Sequence, residues 1–130
     1  MRSIWRDKKM SVLMLVSLCV ILGVIAQLAM KKGMNMIGAV GLKDVFSKEV
    51  FSIIFQKYVF VGMVLYFLAS LIWLVTLSQA ELSFVYPLIS VGYIITAILS
   101  WFLFKENLTI FRFFGILLIC GGVYLIVLKI

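Results

Sequence analysis

The sequence predicts an all-α membrane protein, in which four transmembrane helices form a small bundle and an amphipathic interfacial helix lies between the first and the second. Two observations predict this class. First, 65% of the 130 residues are hydrophobic, whereas soluble domains are about half apolar. Second, the apolar residues are gathered into four runs, each close to the roughly 20 residues that a helix needs to cross a bilayer. Residues 1–130 are therefore interpreted as a single membrane domain.

The four predicted spans lie at about residues 11–30, 58–78, 83–104 and 111–128. In the bilayer core each backbone N–H and C=O group needs a partner within its own segment, so each span is expected to be helical. The second and third spans are joined by "QAEL" and the third and fourth by "KENLTIFR". Loops this short make successive helices antiparallel neighbours. Thr109 is expected to cap the fourth helix.

The connection between the first two spans is longer and contains an amphipathic segment at about residues 42–55. Its apolar residues recur at helical spacing and its charged residues fall on the other side. This pattern predicts a helix that lies in the plane of the membrane surface. The preceding "GMNMIGAVG" is rich in glycine and is predicted to be a flexible connector.

The basic residues of the chain lie mainly at the ends of the apolar runs. There are 12 Lys and Arg against 5 Asp and Glu, and no His. This placement favours anionic lipid headgroups and phosphate-bearing small molecules as partners, and it argues against nucleic acid. The residues suggest no metal site, cofactor or catalytic constellation, so we expect the chain not to be an enzyme. Cys19 and Cys120 are interpreted as small core residues.

The third span has a continuous polar side. Ser83, Tyr86, Ser90 and Tyr93 recur at spacings of 3 and 4, which puts them on one face of a helix. Tyr66 lies on a similar face of the second span. Small and hydroxyl-bearing residues in lipid either allow helices to approach closely or line a polar pathway. Both interpretations stay open at this point.

The first span ends on an amide and two cations, in the segment "LGVIAQLAMKKG". Gln27 and Lys31 are four residues apart and share one helix face, and Lys32 follows them. The amide could simply bond across a helix interface, and the lysines could extend to the headgroups. Alternatively, all three could contact a cargo. Lys105 and Arg112, between the third and fourth spans, allow the same two interpretations.

The charge-free cores of the spans argue against one common mechanism. A proton-coupled exporter of cations usually needs a carboxylate inside the membrane. Glu81 is the nearest candidate, but it lies in the loop before the third span, where it could equally stabilise a helix start. In the fourth span, Gly115, Gly121 and Gly122 are predicted to serve close helix packing or dimerisation.

Residues 80–128 resemble the last two spans of the small multidrug resistance family and, more broadly, the four-helix members of the drug/metabolite transporter superfamily, which includes the EamA-like proteins. The resemblance is carried by Gly92 in the polar third span, by "SW" at Ser100–Trp101 and by the pattern "G-x-x-L-I-x-x-G-V" at Gly115–Val123. The drug exporters carry a membrane glutamate where Gly23 stands here, so proton-coupled drug antiport is not implied.

The lysine-terminated first span and "YPL" at Tyr86–Leu88 are more similar to a sister branch, the small subunits that flip undecaprenyl-phosphate-linked aminoarabinose and related polyprenyl-phosphate sugars. This resemblance implies a multi-pass protein of the inner (plasma) membrane, bound to membrane lipids and to a lipid-linked sugar phosphate. It also implies a homodimer, or a heterodimer with a similar small subunit.

The preferred hypothesis is therefore a flippase for a polyprenyl-phosphate sugar used in envelope glycan or lipid A modification. The tail would remain in lipid, hydroxyl and amide groups would hold the sugar, and cations at the rim would hold the phosphate. One alternative is a small multidrug-type exporter of cationic or polar metabolites, and another is a membrane subunit that only scaffolds an enzyme. The residues expected to contact the cargo are Gln27, Lys31, Lys32, Tyr66, Glu81, Ser83, Tyr86, Ser90, Tyr93, Lys105 and Arg112.

Overall fold

The computed structural model describes residues 2–128, and its regular elements are all helices. They are α1 (Arg2–Ile37), α2 (Leu42–Val45), α3 (Glu49–Ile54), α4 (Lys57–Gln79), α5 (Leu82–Phe104) and α6 (Ile110–Leu128). The helices α1, α4, α5 and α6 are long and apolar enough to cross a membrane, which confirms the predicted fold class. Of the single domain predicted for residues 1–130, Met1, Lys129 and Ile130 lie outside the described residues.

α1 extends beyond the predicted span 11–30 at both ends. Its 36 residues measure about 54 Å at a rise of 1.5 Å per residue, which exceeds the hydrocarbon thickness of about 30 Å. The helix continues through Gly33, so the connector predicted from the glycine-rich stretch is shortened to residues 38–41. α1 ends where Gly38 adopts a φ of 98°, a conformation that residues with a Cβ rarely adopt.

The amphipathic segment forms two short helices, whereas a single helix was predicted for residues 42–55. The hydroxyl of Ser47 donates to the carbonyl of Asp44 at 2.8 Å and accepts from the N–H of Glu49 at 3.2 Å. Local bonds of this kind compete with the backbone bonds of a continuous helix and account for the break. Phe46, between the two helices, is 89% exposed, which fits a segment whose apolar side meets lipid.

α1 and α4 pack antiparallel along a seam of small residues. The seam consists of Cys19, Ala26 and Gly33 on α1 and of Gly62, Ala69 and Thr76 on α4. Within each helix these residues are seven apart and therefore lie on one side. The Sγ of Cys19 is 3.6 Å from the carbonyl oxygen of Ala69, and Ala26 and Thr76 are fully buried. Small residues allow the two backbones to approach closely, and van der Waals packing of this kind holds helices together in lipid.

α5 packs against a different side of α1. The buried core shared by the two helices consists of Val12, Val16, Val20, Val24, Val85 and Leu88. Gly92 belongs to this contact, because a Cβ built on it would lie 3.4 Å from Cγ1 of Val20. Gly92 is thus a packing position. All buried residues of α5 lie in its first half, so its second half is less covered.

α6 packs on α5 and is the least covered of the long helices. Ile116 is its one buried residue, and Cys120, interpreted from the sequence as a core residue, is exposed. The Oγ1 of Thr109 accepts a hydrogen bond from the backbone N–H of Arg112 at 3.3 Å, so Thr109 caps α6 as predicted.

Successive long helices run in opposite directions, so the bundle has two ends. One end holds the C-terminus of α1, the N-terminus of α4 and the α5–α6 loop, and we call it the α5–α6 end. The other holds the α4–α5 loop, and we call it the α4–α5 end. The rings of Trp73 and Tyr86, 6.4 Å apart, join α4 and α5 near this second end.

Candidate functional site

The predicted site residues are divided between the two ends of the bundle. Lys31, Lys32, Lys105 and Arg112 lie at the α5–α6 end. Glu81, Ser83 and Tyr86 lie at the α4–α5 end. Gln27, Tyr66, Ser90 and Tyr93 lie between them along the helices. The four cations thus share one end of the molecule, and the predicted acid lies at the other.

A pocket of about 210 Å³, with several polar groups on its lining, opens at the α5–α6 end. It is built from the second half of α5, the loop after it and the first turn of α6. Its polar groups come from Tyr93, Thr96, Ser100, Glu106, Asn107 and Arg112. Hydroxyl, amide and charged groups that converge in one pocket are suited to a small polar head group such as a sugar.

A larger hollow, of about 560 Å³, lies along the outside of the first half of α1. Its lining residues, among them Met10, Met14 and Leu18, all come from this one helix and are mostly apolar. This groove is lined by one helix and its lining residues include no cation, whereas the smaller pocket combines groups from two helices and a loop and includes Arg112, so we take the smaller pocket as the candidate site. No cluster of His, Cys, Asp and Glu suited to a metal ion occurs among residues 2–128.

Arg112 is held in the pocket by its own loop. Its Nη1 donates to the carbonyl oxygen of Asn107 at 2.9 Å, and its backbone is fixed by the cap at Thr109. Within the described part of the chain its guanidinium has no carboxylate within 4 Å. A guanidinium has five N–H donors, so several remain for a ligand. Its planar geometry suits the oxygens of a phosphate.

Lys31 forms an ion pair across the edge of the pocket. Its Nζ lies 3.6 Å from Oε1 of Glu106, which joins the end of α1 to the α5–α6 loop. The two side chains remain 49% and 42% exposed, so solvent screens the pair and it contributes about 1 kcal/mol or less. Sequence reasoning missed Glu106. The available signal was an acid between Lys105 and Arg112 in a short loop, but its partner lies on a distant segment.

Lys32 and Lys105 do not line the pocket. The Nζ of Lys32 lies 4.5 Å from the centroid of the Tyr58 ring, a cation–π contact with α4. Lys105 follows the last residue of α5, and its side chain is exposed. Arg112 is therefore the predicted cation that lines the pocket, and Lys31 is connected to the pocket through its ion pair with Glu106.

Lys105 has a backbone role that yields a stability prediction. Its φ of 54° is left-handed, a conformation that glycine adopts without the steric cost of a Cβ. Lys105→Gly is expected to stabilise the protein by about 0.5–1 kcal/mol, measured as a higher melting temperature in detergent. Lys105→Ala removes the same charge but keeps a Cβ, so it is the control and should melt close to the parent. Equal melting temperatures for the two variants would contradict this explanation.

The polar face of α5 is open in the single chain. Tyr86 is 66% and Tyr93 is 53% exposed, and Gln27 and Tyr66 are also exposed. The hydroxyl of Ser90 donates to the carbonyl of Pro87 on its own helix. The described residues of one chain therefore do not enclose a polar pathway along α5.

Two other groups of predicted residues lie on the surface of the single chain. Glu81 is the N-cap residue of α5, and it is exposed and makes no capping bond through its side chain; the neighbouring Ser83 is also exposed. On α6, no described atom of another segment lies within 4 Å of a Cβ built on Gly115, Gly121 or Gly122. If these glycines serve close packing, their contact is therefore with another molecule.

Four apolar helices with an arginine-bearing pocket at one end define a small multi-pass membrane protein of the transporter class. The chain belongs to the EamA-like transporter family, which matches residues 45–128. This confirms the resemblance to the drug/metabolite transporter superfamily, and the chain is a transporter-family protein and not an enzyme. No solved structure matches it.

The similar proteins described below are all named as probable subunits of one kind of flippase. The chain is 38% identical over 113 residues to the probable 4-amino-4-deoxy-L-arabinose-phosphoundecaprenol flippase subunit ArnF of Proteus mirabilis, covering 78% of this chain and 80% of that protein. It is 38% identical over 56 residues to the probable subunit ArnE of the same flippase from Pseudomonas fluorescens, covering 43% of this chain and 49% of that protein. It is 39% identical over 72 residues to the probable ArnF of Photorhabdus laumondii, covering 52% of this chain and 56% of that protein. The chain thus spans about half the length of the latter two relatives.

Proposed function

We propose that this protein is one subunit of an inner-membrane flippase for a polyprenyl-phosphate-linked sugar. The observation that carries the proposal is Arg112 held in a pocket with hydroxyl, amide and carboxylate groups, beside the Lys31–Glu106 pair and at the end of four apolar spans. The names of the similar proteins support the same class of cargo, and they favour undecaprenyl phosphate bearing 4-amino-4-deoxy-L-arabinose.

The pocket fits the three parts of such a cargo. The prenyl tail remains in lipid and needs only an open apolar surface beside the pocket. The sugar hydroxyls need partners, because an unpaired polar group in hydrocarbon costs several kcal/mol; Tyr93, Thr96 and Ser100 offer hydroxyls there. The phosphate binds Arg112 and Lys31, which combine a planar donor set with a mobile cation.

The functional unit we propose contains two chains, this one and either a second copy or a similar small subunit. The exposed polar face of α5, with Tyr86 and Tyr93, would then face an enclosed pathway. Gly121 and Gly122 on α6 would provide the close contact between chains. The similar proteins are named as flippase subunits, which supports this arrangement. The alternative, export of cationic metabolites, would depend on Glu81, which is exposed at the start of α5 and distant from the pocket.

Translocation in proteoliposomes tests the proposed function. The protein, alone or with a co-expressed similar subunit, is reconstituted with the lipid-linked amino sugar, and a membrane-impermeant amine reagent reports the head groups in the outer leaflet. The parent is expected to equilibrate the two leaflets. Lys31→Ala is expected to slow this equilibration about fivefold. A roughly fivefold effect corresponds to the upper range of the contribution of an exposed ion pair. Lys43→Ala removes an exposed lysine of α2 and serves as the control.

Two results would contradict the proposal. Absence of translocation by the parent in both preparations would refute the flippase function. Equal rates for Lys31→Ala and the parent would remove Lys31 from the phosphate site.

A further inference from the structure

We propose that Glu106 makes the site selective for a sugar that carries an amine, by exchanging its partner Lys31 for the ammonium group of the cargo. This inference rests on the flippase function proposed above. It names a residue that distinguishes an amino sugar from a neutral sugar on the same polyprenyl phosphate.

Glu106 belongs both to the lining of the pocket and to an ion pair at its edge. It lines the pocket that also contains Arg112, and its Oε1 is 3.6 Å from the Nζ of Lys31 at the pocket edge. The pocket therefore presents a carboxylate and a guanidinium to the same ligand, with a second cation beside them. An anionic phosphate alone needs only the cations. A positive group on the ligand would give the carboxylate a partner of opposite charge within the pocket.

Charge balance favours an exchange of partners. Without cargo, Glu106 is neutralised by Lys31. When a phosphate draws Lys31 away, Glu106 is left without its cation. An ammonium on the sugar replaces it, so each charge keeps a partner of opposite sign. A neutral sugar bound over Glu106 would displace water from the carboxylate without supplying a cation, and a charge left desolvated and unpaired is costly.

The Lys31–Glu106 pair is suited to such an exchange. Its N···O distance of 3.6 Å is long for a charge-assisted hydrogen bond, which is usually about 2.7–2.9 Å. Both side chains are partly exposed, so little free energy is lost when they separate. Selectivity then arises mainly from the penalty imposed on the wrong cargo.

The experiment compares two head groups on undecaprenyl phosphate, 4-amino-4-deoxyarabinose and its N-acetylated derivative, which is neutral at nitrogen. Binding of each lipid to the purified full-length protein, together with its partner subunit if one is required, is measured by competition with a radiolabelled copy of the amino form. The parent is expected to bind the amino form about fivefold more tightly. Glu106→Gln is expected to bind both forms equally, and Glu106→Asp to retain part of the preference. Glu49→Gln, which removes an exposed acid of α3, is the control and should keep the parent's ratio.

The outcomes separate this inference from the proposed function. If the parent binds neither lipid, the flippase function itself is refuted. If the parent binds both lipids equally, or if Glu106→Gln keeps the preference for the amine, the cargo class stands and the role of Glu106 is refuted. Circular dichroism and gel filtration of Glu106→Gln establish that the variant is folded, and Glu106→Asp provides an independent reading.

Discussion

Replacement of Gly62 by alanine is expected to destabilise the protein by about 1–3 kcal/mol, and replacement by valine by more. A Cβ on Gly62 would lie 2.5 Å from Cγ of Met30 and 2.8 Å from the carbonyl oxygen of Ala26. The side chain of Met30 can move, but the carbonyl belongs to the backbone of α1. The added methyl group therefore has to push α1 and α4 apart, which weakens the contacts along the seam.

Gly23 provides the matched control for this substitution. It also lies within a membrane-spanning helix, but nothing described lies within 4 Å of a Cβ built on it. Gly23→Ala is expected to be neutral or slightly stabilising, because alanine loses less backbone entropy in a helix. Both variants are measured by thermal unfolding in detergent, followed by circular dichroism or fluorescence-detected gel filtration. Equal melting temperatures for Gly62→Ala and Gly23→Ala would show that the seam is not closely packed.

Arg112→Ala is expected to slow translocation of the lipid-linked sugar at least about tenfold without changing the melting temperature. The guanidinium is oriented by the carbonyl of Asn107 and the residue is exposed, so its removal deletes the proposed phosphate donor while the cap at Thr109 remains intact. Arg112→Lys keeps the charge but loses the planar donor set, and it should recover only part of the rate.

Arg6→Ala is the control for Arg112→Ala, because Arg6 is an exposed arginine at the α4–α5 end. Its translocation rate should equal that of the parent. The proteoliposome assay with an impermeant amine reagent measures all four proteins. A rate for Arg112→Ala within twofold of the parent would mean that the pocket at the α5–α6 end does not bind the phosphate.

The four spans could be predicted because length and hydropathy alone determine whether a helix can cross a bilayer. The cap at Thr109 could be predicted because it depends on residues three apart. The break at Ser47 could not, since a local hydrogen bond there overrides a regular amphipathic pattern.

The candidate site was predicted only in part, because it depends on contacts between distant segments. Lys31 and Arg112 were predicted from their charge and their place at span ends. The partner of Lys31 is Glu106, which lies far along the chain, and no periodicity links the two. The seam left a signal that sequence reasoning did not use: small residues seven apart occur on both α1 and α4, as at Ala26 and Ala69. That two such series face each other follows only from the packing.

The unbroken length of α1 determines how deeply the protein sits in the membrane. Lys9 and Lys31 are 22 residues apart on one continuous helix, about 33 Å at 1.5 Å per residue. This separation slightly exceeds the hydrocarbon thickness of about 30 Å, so the helix is long enough for each cation to reach a different headgroup layer. Movement of α1 along the membrane normal in either direction would bring one ammonium group into the hydrocarbon, so the two lysines limit how far the candidate pocket can move relative to the water.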